Sequence, residues 1–243
     1  MELVVADSSD ILFLHPRYSD IPGSLKETLF DPDQLKAAGL ITRKLSGRGT
    51  TYFFKLRDQD CVLRHYWRGG FVRNVFPDSY LWLGLARTRS YREWQLLETM
   101  ERLRLPAPRR VALRIQRNGI VYRSDIITEE IQDVTSLTEL LKFRPATEEE
   151  WKCIGQTIRE FHDQNIFHQD LNAGNLLLGV GCCHLIDFDR GRILRGTWWH
   201  VIVLKRLKRS LEKLRRNNKG FHYNAMDWSY LQDGYGETDG QPN

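Results

Sequence analysis

The feature that most constrains the fold is a polar stretch, HQDLNAGN at residues 168–175, placed between a helical pattern and two apolar runs. Thr147 and Glu150 form a capping-box pair that predicts the start of a helix. Apolar residues then recur at helical spacing: Trp151, Ile154, Ile158 and Phe161. The runs 175–178 and 184–188 predict short strands around a Gly-Val-Gly turn. A polar loop held between regular elements is a place where proteins position functional side chains.

The order of the predicted elements indicates an α+β fold. Predicted strands dominate the first half: 39–46, 50–56, 61–66, 111–116 and 120–127, the last two flanking an Asn118-Gly119 hairpin signal. Helical patterns cover 89–104, the segment after Thr147, and 201–219. We therefore predict one domain over 1–243, with a small antiparallel sheet lobe (about 1–127), a reduced, mostly helical C-terminal lobe (about 128–233) and a loose tail (234–243). The hinge between the lobes is expected within 126–135.

Composition excludes several classes of protein. A chain of 243 residues with 41% hydrophobic content can bury a sizeable core. Its apolar runs are shorter than the roughly 18 to 20 residues that a membrane-spanning helix needs. Four cysteines without a C-x-x-C pair indicate neither a disulfide framework nor a zinc site, and they favour a reducing, cytoplasmic setting. The N-terminus has no secretory-signal pattern.

Three side chains of the polar segments suit phosphoryl transfer. Asp170 can orient an acceptor hydroxyl and accept its proton, while Asn175 and Asp187 supply the oxygen ligands that Mg²⁺ prefers. The stretch resembles the H-x-D-L-x-x-x-N loop and the apolar strand ending in D-F-G of the protein-kinase-like superfamily. The resemblance implies that Asp170 is the catalytic base, that Asn175 and Asp187 hold Mg²⁺, and that ATP is the phosphate donor. His168 is interpreted as structural.

The candidate nucleotide-binding residues lie in the first predicted strands. Gly47, Arg48 and Gly49 belong to a hairpin whose backbone amides could approach phosphates. Where kinases carry a strand lysine, the matching segment reads Cys61-Val62-Leu63-Arg64, so Arg64 takes that place. Its rival is Lys55 on the preceding strand. The partner expected for Arg64 is Glu93, with Glu98 and Glu101 as alternatives.

Four segments together resemble the 3-deoxy-D-manno-octulosonic acid (Kdo) kinases of the lipopolysaccharide kinase family, over residues 39–211. They are 62–70 (VLRHYWRGG), 89–94 (RSYREW), HQDLNAGNLLL and LIDFDRGR. The resemblance implies transfer of the γ-phosphate of ATP to a Kdo hydroxyl, the 4-position in this family, on a lipid A precursor in lipopolysaccharide core synthesis. It also implies a peripheral location at the cytoplasmic side of the inner membrane.

Two features of the sequence agree with an anionic, membrane-anchored acceptor. Residues 64–73 interleave cations with aromatic residues, and the acceptor or membrane candidates are Arg68, Gly69, Gly70 and Arg73. The last helical pattern puts Leu204, Leu207, Leu211 and Leu214 on one stripe among many basic residues. That helix could lie on anionic lipid, or its leucines could pack inside the protein with a solvated basic face.

Three alternatives remain open at this point. A small-molecule phosphotransferase of the aminoglycoside or choline kinase type shares the loop motif, but the arginine-rich candidate acceptor segments suit an anion better. A non-catalytic nucleotide-binding scaffold would explain the missing lysine, yet it would not need Asp170. A nucleic-acid binder is motivated by the basic helix alone, so no nucleic-acid partner is expected. The sequence does not indicate an oligomeric state.

Overall fold

The chain divides into two compact units. The computed structural model describes the backbone of residues 2–7, 9–21, 28–46, 50–67 and 78–236, with side chains from Ser9 onward. One unit, here called the sheet unit, comprises residues 1–95 and 109–130; the other, the helical unit, comprises 96–108 and 131–243. No helix within the described ranges is long and apolar enough to cross a membrane.

The sheet unit is built on one antiparallel sheet. Its described strands are β1 (Glu2–Asp7), β2 (Asp10–Leu14), β3 (Ile41–Ser46), β4 (Thr50–Leu56), β5 (Gln59–His65), β6 (Tyr80–Leu81), β7 (Arg110–Asn118) and β8 (Val121–Glu129). They follow the spatial order β1-β2-β7-β8-β5-β4-β3, and β6 pairs with β8. This unit also contains the α-helix α1 (Pro32–Ala37) and the first part of α2 (Arg89–Arg102).

The structure confirms the strands predicted for this part of the chain and shows how they are ordered in the sheet. The core of this unit packs inward-facing residues such as Leu14, Phe54, Leu63 and Ile127, all almost fully buried. The predicted Asn-Gly hairpin joins β7 to β8, with Gly119 at φ +58°, a left-handed conformation that favours glycine. β1, β2 and α1 were not predicted. Asp31 caps α1 by accepting hydrogen bonds from the amides of Asp33 and Gln34.

The first part of the segment predicted as a hinge, 126–135, belongs to the sheet. β8 continues through Glu129, whose amide donates to the Arg109 carbonyl at 2.9 Å. The amide of Glu130 then donates to the Asp60 carbonyl at 2.8 Å. Only residues 130–134 lie outside regular structure before the next strand. Backbone pairing therefore fixes the first part of the predicted hinge within the sheet unit.

The helical unit combines four further helices with short strands. The helices are α3 (Leu137–Phe143), α4 (Glu148–Asp163), α5 (His200–Asn217) and α6 (Ala225–Tyr235). The strands are β9 (Thr135–Ser136), β10 (Ile166–Phe167), β11 (Leu176–Gly179), β12 (Cys182–Leu185) and β13 (Arg192–Ile193). β11 pairs with β12 and β9, and β10 pairs with β13. The second half of α2 also belongs to this unit.

Helix α4 begins and packs as its sequence predicts. Thr147 Oγ1 accepts from the Glu150 amide at 3.2 Å, and Glu150 Oε2 accepts from the Thr147 amide at 2.8 Å. The four apolar residues that recur at helical spacing are all almost fully buried: Trp151, Ile154, Ile158 and Phe161. The capping box and the core face of α4 are thus confirmed.

Two glycines allow α4 and α6 to touch backbone to backbone. A Cβ atom on Gly155 would lie 2.1 Å from the Leu231 carbonyl oxygen, and one on Gly234 would lie 2.1 Å from the Lys152 carbonyl oxygen. Neither neighbour is a side chain that could rotate away. The loose tail was predicted to start at Gly234, but Gly234 lies inside α6, where a glycine leaves room for the α4 backbone. The helix ends at Tyr235, and residues 237–243 lie outside the described residues.

The predicted strand 184–188 is shorter than expected. β12 begins at Cys182 and ends at Leu185. Asp187 then has φ +69°, which is outside the strand region of backbone conformation. The chain therefore leaves the strand just before the residue that was proposed to hold the metal.

Candidate active site

The polar loop 168–175 is held by its own asparagines. Asn172 Oδ1 accepts from the Gly174 amide at 2.8 Å, and Asn172 Nδ2 donates to the Asp170 carbonyl at 2.8 Å. Asn175 Nδ2 donates to the same carbonyl at 3.2 Å. Two side-chain amides therefore fix the backbone at Asp170, and a 3₁₀ turn at Ala173–Asn175 leads the chain into β11.

Backbone hydrogen bonds tie this loop to the segment that carries Asp187. The amide of Ile186 donates to the Asn175 carbonyl at 3.0 Å. His168 Nε2 bonds to the Ile186 carbonyl at 2.9 Å. The structure thus brings the neighbourhoods of Asp170, Asn175 and Asp187 together, although Asp187 is twelve positions beyond Asn175 in the sequence.

His168 has the structural part that its sequence position indicates. Its side chain is 3% exposed, and burial lowers its pKa; the Ile186 carbonyl and the Asp187 and Asp170 carboxylates act in the opposite direction. The ring is therefore neutral at physiological pH. Because a carbonyl oxygen can only accept, Nε2 must carry the proton. Phe188, also buried, lies 4.7 Å from the His168 ring and stacks on Phe161 of α4 at 5.6 Å, which anchors the segment to the helical core.

The side chain of Asp170 faces two arginines. Arg206 Nη2 of α5 donates to Asp170 Oδ1 at 2.6 Å. Arg190 Nε lies 3.7 Å from Asp170 Oδ2, beyond hydrogen-bond distance. The Asp170 side chain remains 28% exposed, so the carboxylate can be reached from solvent.

The donor set of this region fits Mg²⁺. The bond from Asn175 Nδ2 to the Asp170 carbonyl fixes the amide, and the oxygen Oδ1 is the atom that remains for a cation. The Asp187 carboxylate is a hard oxygen donor of the same kind. No cluster of three or more His, Cys, Asp or Glu within the described ranges could hold a metal alone. Mg²⁺ bound with a nucleotide does not require one, because phosphate oxygens and waters complete its coordination.

Arg64 and Glu93 form an ion pair in the sheet unit. Arg64 Nη2 contacts Glu93 Oε1, and the hydroxyl of Tyr66 donates to Glu93 Oε2. Glu93 is 2% exposed, whereas the Arg64 side chain is 29% exposed. A buried carboxylate therefore holds a partly accessible guanidinium on β5, an arrangement suited to an anionic ligand. Their role in nucleotide binding stays a prediction.

The other candidate residues lie outside the described residues: Gly47, Arg48 and Gly49 of the predicted phosphate hairpin, and Arg68, Gly69, Gly70 and Arg73 of the predicted acceptor segment.

The leucine stripe of α5 packs inside the protein. Leu204, Leu207 and Leu211 are buried, and Leu214 is half-buried. The basic residues around them are exposed. Of the two interpretations left open by the sequence, internal packing is the one observed for the leucines, so this stripe is not available to lipid.

Sequence reasoning missed the residues that touch the candidate carboxylates. Arg206 was noted only as one of many cations on a basic helix, and its contact with Asp170 spans 36 positions of sequence. Arg190 stands in the LIDFDRGR segment without a role, and Tyr66 was not linked to Glu93. Nothing local marks these contacts, because each depends on how distant elements pack. The nearest signal was the position of Arg190, three residues after Asp187.

Comparisons with known proteins agree on one family. The family model described as "Lipopolysaccharide kinase (Kdo/WaaP) family" matches residues 33–235. A 3-deoxy-D-manno-octulosonic acid kinase of Haemophilus influenzae (strain PittEE) is 40% identical over 198 residues, covering 78% of this chain and 82% of the relative. The protein of the same name from Vibrio parahaemolyticus is 32% identical over 230 residues, covering 93% and 94%.

A solved structure supports the fold. WaaP in complex with acyl carrier protein matches with a TM-score of 0.56 at 15% identity, covering 92% of this chain and 88% of that one. At this identity the match supports the protein-kinase-like fold alone. It agrees with the fold class expected from the loop motifs. Together with the family match over most of the sequence, these findings establish that the chain belongs to the lipopolysaccharide kinase (Kdo/WaaP) family.

Proposed function

We propose that the protein is an ATP-dependent kinase that phosphorylates a Kdo hydroxyl, the 4-hydroxyl by family resemblance, on a Kdo-bearing lipid A precursor in lipopolysaccharide synthesis. The observation that carries this proposal is the hydrogen-bonded arrangement that joins Asp170, Asn175 and the Asp187 segment. Relatives at 32 to 40% identity carry the name of this activity. An arrangement of one accessible carboxylate beside two oxygen donors suits phosphoryl transfer to a hydroxyl.

Each residue has a distinct part in the proposed reaction. Asp170 receives the acceptor hydroxyl, orients it toward the γ-phosphate and accepts its proton. The new oxygen–phosphorus bond forms as the bridging bond between the γ-phosphorus and the β-phosphate oxygen breaks and ADP leaves. Asn175 and Asp187 would hold Mg²⁺, which offsets the phosphate charge when bound. Arg64, positioned by Glu93 and Tyr66, would contact the phosphates of ATP.

The proposed location is the cytoplasmic side of the inner membrane, held there by peripheral contact. Although the leucines of α5 are buried, large apolar side chains are exposed at and just before its start: Trp198 at 67%, Val201 at 47% and Ile202 at 49%. Lys205 and Arg209 follow on exposed positions. Aromatic and aliphatic residues beside cations suit the boundary of an anionic bilayer, where each cation contributes about 1 kcal/mol.

The activity is tested by incubating the purified protein with labelled ATP, Mg²⁺ and Kdo-bearing lipid A precursor. Label should appear on the lipid, and mass spectrometry of the product should place the phosphate on the 4-hydroxyl of Kdo. Asp170→Ala and Asp187→Ala should each abolish transfer in a folded protein, while the exposed control Asp163→Ala should not. Label only on an aminoglycoside or on choline, or no label on any acceptor, would exclude the proposed function.

Membrane contact is tested separately by sedimentation with vesicles. Binding to vesicles containing anionic lipid should exceed binding to neutral phosphatidylcholine vesicles, and it should fall when salt is raised. Replacing Trp198 and Ile202 together with serine should weaken it. Equal sedimentation with both vesicle types would contradict an electrostatic contact.

A further inference from the structure

The contact between Arg206 and Asp170 is not explained by stability. The Arg206 side chain is 49% exposed and that of Asp170 is 28% exposed. Ion pairs with this much solvent access contribute little to the free energy of unfolding. The pair nevertheless connects the middle of α5 to the one carboxylate of loop 168–175 that the proposed chemistry requires.

Two guanidinium groups flank this single carboxylate. Arg206 Nη2 is 2.6 Å from one oxygen, and Arg190 Nε is 3.7 Å from the other; the Arg190 side chain is 46% exposed. Asp170, at which the acceptor hydroxyl must be placed, therefore lies close to two guanidinium groups, and both arginines remain accessible from solvent.

The geometry of arginine allows it to bind two carboxylates at once. A guanidinium has five N–H donors arranged on two edges, and the contact with Asp170 uses one donor of Arg206. A sugar hydroxyl that bonds to Asp170 brings its whole ring within reach of a group already touching the same carboxylate. If that sugar carries an acid group, the remaining donors of Arg206 can engage it in a charge-assisted, bidentate manner.

We propose that Arg206, assisted by Arg190, binds the carboxylate of the acceptor sugar and thereby determines specificity for a sugar acid. This inference rests on the proposed function and deepens it, since the relatives act by name on an octulosonic acid. Arg206 bridges the base and the acceptor, so a neutral sugar would leave its donors without a second partner. Such a mismatch at a site built for hydrogen bonding rejects the wrong substrate strongly.

The test compares a Kdo glycoside with its methyl ester, in which the carboxylate is neutral. For the acid, Arg206→Ala should raise the KM on the order of 10- to 100-fold, while the KM for ATP should change less than about twofold. The wild-type enzyme should lose a similar factor with the ester, and Arg206→Ala should then cost almost nothing more. Arg206→Lys should be intermediate with the acid, since an ammonium keeps the charge but lacks the planar fork.

Control variants separate this reading from a merely structural role. Arg216→Ala removes an exposed arginine near the end of the same helix and should behave like wild type with both acceptors. Arg190→Ala should show a smaller loss than Arg206→Ala that is again confined to the acid. If Arg206→Ala instead lowers kcat equally for acid and ester with unchanged KM, Arg206 only orients Asp170 and the proposal is wrong.

Direct binding keeps the inference testable whether or not turnover is observed. Calorimetric titration of the wild-type protein with the acid and the ester, without ATP, should show tighter binding of the acid, and Arg206→Ala should remove the difference. Equal binding of both compounds to the wild-type protein would overturn the inference even if Kdo is phosphorylated. Preferential binding of the acid without phosphorylation would instead refute the proposed reaction and leave the carboxylate site standing.

Discussion

Replacing Gly155 with alanine tests whether the contact between α4 and α6 is as close as the structure indicates. Two effects of opposite sign compete. Alanine favours a helix interior over glycine by about 0.8 to 1 kcal/mol. Against this, the new Cβ would lie 2.1 Å from the Leu231 carbonyl oxygen and 2.6 Å from the Tyr235 amide nitrogen. Ordinary contacts begin near 3.4 Å, so the helices would have to separate by about 1 Å.

The unfavourable effect should dominate, because the obstructing atoms belong to a backbone and cannot rotate away. Overpacking of this kind costs about 1 to 3 kcal/mol, occasionally more. Because the overlap with these backbone atoms is severe, we place the cost at the upper end of that range and expect a net loss of about 2 kcal/mol. For a chain of this size, such a loss lowers Tm by about 4 to 8 °C. Thermal unfolding followed by circular dichroism measures it, with the exposed Gln156→Ala on the same helix as the control. A Gly155→Ala protein as stable as wild type, or more stable, would refute the backbone contact.

Three further predictions follow from single features of the structure. Desolvation lowers the pKa of buried His162 to about 3, so the unfolded chain binds the proton first as pH falls. Protonation of the unfolded chain at this histidine should then lower the free energy of unfolding by about 1.4 kcal/mol between pH 7.5 and 5.5 in denaturant titrations. This drop should be smaller in His162→Gln, and in the exposed control His222→Gln it should be as large as in the wild type. Glu93→Gln removes the charge that faces Arg64 and should weaken ATP binding about tenfold in equilibrium titration. An unchanged affinity for ATP would mean that the Arg64–Glu93 pair does not take part in nucleotide binding. Thr147→Ala removes one half of the α4 capping box and should cost about 1 kcal/mol in urea unfolding, whereas a loss below about 0.3 kcal/mol would mean the cap is unimportant.

The parts of the site that could be predicted are those encoded locally. The spacing of Asp170 and Asn175 and the apolar run before Asp187 predicted that these residues lie close together, and hydrogen bonds to the Asp170 and Asn175 carbonyls hold their segments together. Their part in phosphoryl transfer stays a prediction. The pairing of Arg64 with Glu93 followed from matching a strand and a helix to a known pattern. By contrast, the contact of Arg206 with Asp170 depends on how α5 packs in the helical unit, which no local sequence signal specifies.

The elements that escaped prediction are short or are stabilised by packing. α1 has six residues. β2 joins the rest of the described sheet through β7, and β1 joins it through β2. Helix α6 does carry a start signal, since Asn224 and Asp227 form a capping box like that of α4. Its glycine at position 234 and the polar residues after it suggested a tail instead. The helix continues through position 234 because a glycine there leaves room for the Lys152 backbone of α4.

The pairing of β10 with β13 has a practical consequence for engineering. Ile166 pairs with Ile193, so strand pairing joins the two ends of segment 166–193. This segment contains all three residues proposed for phosphoryl transfer. The far tip of that segment is the turn at Val180, whose side chain is fully exposed, followed by Gly181 at φ +66°. Lengthening a loop costs little once its ends are fixed, about 0.6 kcal/mol per doubling. We therefore expect that a peptide tag or a fluorescent reporter can be inserted at this tip without changing the kinase activity proposed for the segment.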